Sequence, residues 1–183
     1  MKKFRNYLII FTICFLFLFT SCKSTKITID NLSSKVDASL VDAKKVSLHM
    51  EMTDSENLVY DYKKIVELNQ NTAVVKTETT KLNAKFELQT TTTEEQISNY
   101  SKDDFFNLKL GKSLVTNIQS SKNKISFDVT SENIQTVLNS AQVSIQGIAS
   151  FEFVFEKGKI INYTCKYTTD TTRQVVITCV YEY

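Results

Sequence analysis

Proline and tryptophan are missing from this 183-residue chain, and glycine occurs only at Gly111, Gly147 and Gly158. Three scattered glycines cannot form a phosphate-cradling loop. The same scarcity leaves turns to Asn, Asp, Ser, Lys and Thr. His49 is the only histidine, so a Ser/His or Cys/His nucleophilic pair would have to use it. One imidazole also excludes a His-rich metal centre, and Cys14, Cys22, Cys165 and Cys179 lack zinc-finger spacing. Paired acids occur at Glu94-Glu95 and Asp103-Asp104, within a polar stretch. Glycosidase-type chemistry needs two carboxylates set apart in a cleft, so adjacent loop acids read as solvated surface. Asp37, Asp42, Asp54 and Asp61 are too dispersed for a calcium loop. The residues exclude most catalytic classes, and no cofactor motif is present.

What the chain does have begins at its start. Lys2, Lys3 and Arg5 precede an uncharged run, Tyr7 to Phe19, which Thr20-Ser21-Cys22 closes. The run falls short of the 17 or so apolar residues of a spanning helix, and its flanks are those of a secretory signal. Small residues followed directly by cysteine resemble the bacterial lipoprotein lipobox. That resemblance implies removal of residues 1–21 and acylation, such as palmitate attachment, at Cys22. It places the protein on the extracytoplasmic face of a cell membrane. Three of the 22 basic residues lie in this leader, against 20 acidic residues in all. The exported part is therefore slightly acidic despite a whole-chain pI near 8.2, with no electrostatic footprint for nucleic acid.

Downstream, residues 22–31 read as a polar tether and 32–183 as a single domain. Leu32, Val36, Leu40 and Ala43 share one helical face, with Ser33, Ser34 and Asp37 as capping candidates. The period then switches to two: Val46, Leu48, Met50 and Met52 alternate with Ser47, His49, Glu51 and Thr53, as in a half-buried strand. A turn at 54–57 leads to a second strand, Leu58 to Leu68. Thr72 to Thr90 is one bent strand or two, with Leu82, Ala84, Phe86 and Leu88 on one side. Residues 91–112 read as a loop with a short helix, its Tyr100, Phe105 and Phe106 tucked under the sheet. A hairpin (113–120 and 125–130), a short helix near 131–139 begun by Ser131, and a meander (143–155, 160–168, 175–183) complete the pattern. The fold class is α+β, dominated by antiparallel sheet.

Tyr163, Tyr167, Tyr181 and Tyr183 share an odd-numbered face with Ile161, Cys165, Ile177 and Cys179. This face forms either a core whose phenols reach the rim or the lining of a groove. Both thiols of the last hairpin point to the core. A turn centred on Thr172 sets Cys165 opposite Cys179, at about 4.5 to 5.5 Å between Cβ atoms. That is close enough to consider a disulfide, and export permits one. A centre one residue earlier pairs Cys165 with Ile177 and leaves two buried thiols.

The lipobox, the helix running into VSLHMEMT, the long Lys/Thr-rich strands, the late helix and the closing meander resemble envelope lipoproteins with a LolA-like half-barrel, including small lipoproteins of low-GC bacteria. The resemblance implies an incomplete barrel of curved antiparallel sheet with helices on its concave side, and in several members a cavity for acyl chains. Two non-enzymatic functions remain open. One is binding of an apolar ligand, a lipid or acyl chain, in a cavity of at least about 300 Å³ lined by Met50, Met52, Phe86 and Tyr163. The other is an interaction lipoprotein with a filled core, whose partner is another envelope protein.

Overall fold

Alternation of apolar and polar residues fixes which side of each strand is buried, and here it builds one curled antiparallel sheet. The computed structural model describes residues 26–69, 72–99, 108–139 and 143–183. Helix α1 (Ile29–Asp42) leads into β1 (Lys45–Asp54), β2 (Asn57–Asn69), β3 (Thr72–Leu82) and β4 (Leu88–Ser98). Then come β5 (Thr116–Ser120), β6 (Lys124–Thr130), a one-turn helix α2 (Ile134–Val137), β7 (Ile145–Glu156), β8 (Lys159–Thr169) and β9 (Gln174–Glu182). The strand order is β4-β3-β2-β1-β9-β8-β7-β6-β5, with the described pairs antiparallel. This is the α+β incomplete barrel expected from the sequence, with one helix before the first strand and a short one within 131–139.

The inner face is fixed by register. Val46 on β1 faces Val66 and Tyr181, Cys179 faces Tyr163, and Tyr163 faces Phe153. Helix α1 lays Ile29, Leu32, Val36 and Leu40 onto this face, where they join the core with Phe127, Phe151, Phe153 and Tyr163. Phe127 stacks on Phe151 and Phe153, at centroid distances of 5.3 and 6.0 Å, and Phe153 stacks on Tyr163 at 5.1 Å. Burial of each such ring contributes about 1.5–3 kcal/mol. The one buried polar side chain on the helix, Ser39, accepts the Ile160 N–H at 3.2 Å, so helix and sheet are also joined by a hydrogen bond.

The structure departs from the sequence expectation at four places and settles one that was left open. The polar tether was expected to reach Asn31, but Ile27 and Ile29 are buried. Ser120 pins this stretch by donating to the Ile27 carbonyl at 2.5 Å, and Asn31 Oδ1 accepts the Thr28 N–H at 3.0 Å, so the helix starts at Ile29 and not at Leu32. The even-numbered alternation stops at Leu82. Asn83 Oδ1 accepts the Lys85 and Glu87 amides at 2.8 and 3.0 Å and bends the chain, so Thr72–Thr90 is two strands. The segment read as a loop from Thr91 continues β4 to Ser98; exposed on both faces except at Ile97, which packs on Val66, Ala73 and Val75, it had no continuous buried side to announce it. In β8 the buried isoleucine is Ile160, not Ile161, because a bulge between Val154 and Phe155 shifts the register. Asn133, not Ser131, precedes the short helix, and it makes no side-chain cap.

Turns made without glycine are a recurrent feature. Ser55 and Glu56, between β1 and β2, have φ of 49° and 69°. Two successive positive φ values give the hairpin turn that suits strand twist, usually written Asn-Gly. Phe86 and Thr172 also lie in the left-handed region, with φ of 62° and 66°. The leader, Cys22, Tyr100, Phe105, Phe106 and the Asp103-Asp104 pair lie outside the described residues.

Candidate functional site

The inner face divides into a filled part and an open part. Under α1 the core is close-packed, and Tyr163 is only 2% exposed within it. Away from the helix the same face continues onto β1, β2 and β3. Met50 pairs with Tyr62 on one side and Ile177 on the other; Met52 pairs with Tyr60 and Val175. Of these six, Val175 is buried and the others are half-buried. Tyr60 and Tyr62 lie nearly parallel, at 6.5 Å between centroids. Burial raises the Tyr62 phenol above its usual range, against a hydrogen bond with Thr77 that lowers it. Flexible thioethers beside phenol rings make a surface that adapts to an irregular apolar occupant.

The four residues expected to line one cavity do not converge. Phe86 is 84% exposed at the β3–β4 turn, because Asn83 turns the chain before the alternation reaches it. Tyr163 is core. Met52 lines a shallow recess of about 260 Å³ with Tyr167, Val143 and Arg173. A cavity of about 660 Å³ opens on the opposite, outer face, between β5 and β8. Its walls are mostly polar, including Asn117, Gln119, Ser126, Asp128, Ser150 and Lys166. The odd-numbered tyrosine face is thus largely core.

The cysteines also depart from the disulfide geometry. The final hairpin pairs Cys165 with Ile177 and Cys179 with Tyr163, and both thiols are free. Its turn is centred one residue earlier than Thr172. Burial pushes both thiols up to about 12, so neither is a thiolate at ordinary pH. The Tyr181 hydroxyl is buried with no hydrogen-bond partner of good geometry. Desolvation and the neighbouring Cys179 thiol raise its ionisation far above the usual range.

On the outer face, His49 Nε2 lies 3.0 Å from Asp61 Oδ1 and 3.6 Å from Glu51 Oε1. The sequence placed His49 on the polar side of β1 but did not bring Asp61 to it. The bulge between Met52 and Thr53 sets Asp61 opposite Glu51. Glu94 and Glu95 are exposed on successive positions of β4 and hence on opposite faces, which is not a paired-carboxylate arrangement. No helix among the described residues is long and apolar enough to cross a membrane.

No protein-family model matches this chain, and no curated protein does. Among solved structures, a redesigned β-barrel, mFAP1, bound to DFHBI aligns at 9% identity over 73% of this chain and 91% of its own, with a TM-score of 0.21. A second redesigned β-barrel aligns at 9% identity over 80% and 95%, with a TM-score of 0.24. The tesB protein of Mycobacterium avium subs paratuberculosis aligns at 6% identity over 82% and 84%, with a TM-score of 0.18. At such scores these likenesses carry no argument about function.

Proposed function

We propose that this chain is a lipid-anchored lipoprotein of the extracytoplasmic membrane face, acylated at Cys22 and not an enzyme, whose domain docks an apolar segment of another envelope protein. The leader pattern supports the anchor. The docking reading rests on one observation: the half-buried Met50, Met52, Tyr60, Tyr62 and Ile177 on the open inner face, beside a core already filled by α1. A filled core favours a partner lying on this shelf over a ligand enclosed within the barrel. An acyl chain on the same shelf is the second reading, because paired methionines suit variable chains as well as side chains.

The test uses full-length protein in its own membrane, with a photocrosslinking amino acid at Met52 or Tyr60. Crosslinking to a discrete envelope protein supports docking. A lipid adduct, with co-purified lipid in native mass spectrometry, supports the acyl-chain reading. Crosslinking no stronger than at exposed Phe86 overturns both. The anchor is tested separately: Cys22→Ser should abolish palmitate incorporation, and equal labelling of both proteins would refute it.

A further inference from the structure

We infer that His49, Glu51 and Asp61 form a binding site for one divalent transition-metal ion of the zinc class on the outer face of the β1–β2 hairpin. The donor atoms of these residues all lie within 4.8 Å of one another. Two ligands sharing an ion at about 2.0–2.2 Å stand about 3 to 3.5 Å apart; His49 Nε2 already lies 3.0 Å from Asp61 Oδ1, and Glu51 Oε1 lies just beyond that range at 3.6 Å from His49 Nε2. Small rotations of the Glu51 side chain, half-exposed on its strand, complete the approach.

Placement is a product of the fold. His49 and Glu51 are two residues apart on β1 and so project to the same side. The bulge at Met52/Thr53 brings Asp61 directly opposite Glu51; an unbulged hairpin would turn Asp61 to the other face. Asp61 is the anchor, with its side chain only 16% exposed, while His49 and Glu51 are open enough to admit an ion and its waters.

Charge suits a dication. Three carboxylates, Glu51, Asp61 and Glu78, share this patch with Lys63, which lies 3.4 Å from Asp61 Oδ2 and 3.5 Å from Glu78 Oε1. Lys63 therefore has a second partner and can leave Asp61 without losing its ion pair. One imidazole with two carboxylates selects zinc-like ions over magnesium or calcium, which prefer all-oxygen shells.

The test is direct because His49 is the only histidine. Full-length protein without a polyhistidine tag, in detergent, is titrated with zinc while the single imidazole is followed by NMR. The expected result is saturation at one equivalent, with little response to magnesium or calcium. In Asp61→Asn, binding should weaken by about tenfold or more. His49→Ala leaves the cysteines unchanged, so zinc bound equally well by this variant would assign the metal to another group and overturn the site. An imidazole that does not saturate with zinc, or responds equally to magnesium, would overturn it too.

Discussion

Tyr163 faces Cys179 across the last hairpin, two pairs along from Cys165 and Ile177. The two thiols therefore sit diagonally on neighbouring strands, each surrounded by core rather than by the other. Neither should react in the folded protein. Iodoacetamide should label Cys165 and Cys179 only slowly under native conditions and completely after denaturation without reductant, read by peptide mass. A disulfide-linked peptide pair in the non-reduced digest would refute the register.

Both thiols, and the Tyr167 phenol, are pushed up to about 12 by burial, from ordinary values of 9.0 and 10.0. Between the unfolded and folded values the unfolded chain has lost protons that the folded chain keeps, so stability falls as pH rises. It is fully present below about pH 9 and drains away toward pH 12, at about 1.4 kcal/mol per pH unit for each group fully in that window. Thermal unfolding followed by circular dichroism should show Tm dropping steeply above about pH 9. A flat Tm from about pH 8.5 to 10.5 would contradict this. A Cys165→Ala/Cys179→Ala variant should flatten the slope.

Thr172 holds φ of 66° in the β8–β9 turn, a conformation that costs an L-residue about 1–2 kcal/mol. Thr172→Gly removes that cost and returns part of it as unfolded-chain entropy, for a net gain of about 0.5–1 kcal/mol. Gly158, at φ of 84° with open space where a Cβ would point, should behave oppositely: Gly158→Ala should lose about 1 kcal/mol through backbone strain alone. Urea midpoints of the two variants moving in the same direction would overturn the turn assignments.

Two phenylalanines separate core from surface. Phe153→Ala should cost about 3–5 kcal/mol, since the ring is fully buried between Phe127 and Tyr163. Phe86→Ala should change stability by less than about 0.5 kcal/mol. Comparable losses in chemical denaturation would mean that Phe86 is covered.

The strands legible in the sequence were those with one apolar and one polar side: Val46 to Met52 showed its period because its even residues are apolar and lie on the inner face while its odd residues are polar and lie on the outer one. The Thr90 to Ser98 stretch of β4 was illegible because it is an edge with polar residues on both faces, so its hydrogen bonds to β3 leave no hydrophobic pattern. Phe86 was misplaced because the alternation of Leu82 and Leu88 runs through a turn that Asn83 makes with its side chain. Asp61 could not be brought to His49 without the bulge at Met52/Thr53, a backbone irregularity that no residue in the hairpin announces. Cys165 and Cys179 shared a face as read, and only the centre of the four-residue turn, 170–173, decided their partners.

The strand order has a kinetic consequence. Among the described strands, β1 and β9 are the one neighbouring pair not consecutive in the chain. The sheet is two local meanders sewn along a single seam, where Lys45 meets Glu182 through both backbone pairing and a 2.9 Å ion pair. Each meander grows by closing short loops, whereas the seam closes one of more than a hundred residues. That difference adds about 3 kcal/mol of loop entropy and makes the seam the late, rate-setting event in folding. Until it forms, one meander presents the bare edge of β1 with Val46, Met50 and Met52, and the other that of β9 with Val175, Ile177 and Cys179. The interval between ordering the halves and stitching them is when this chain is most exposed to aggregation.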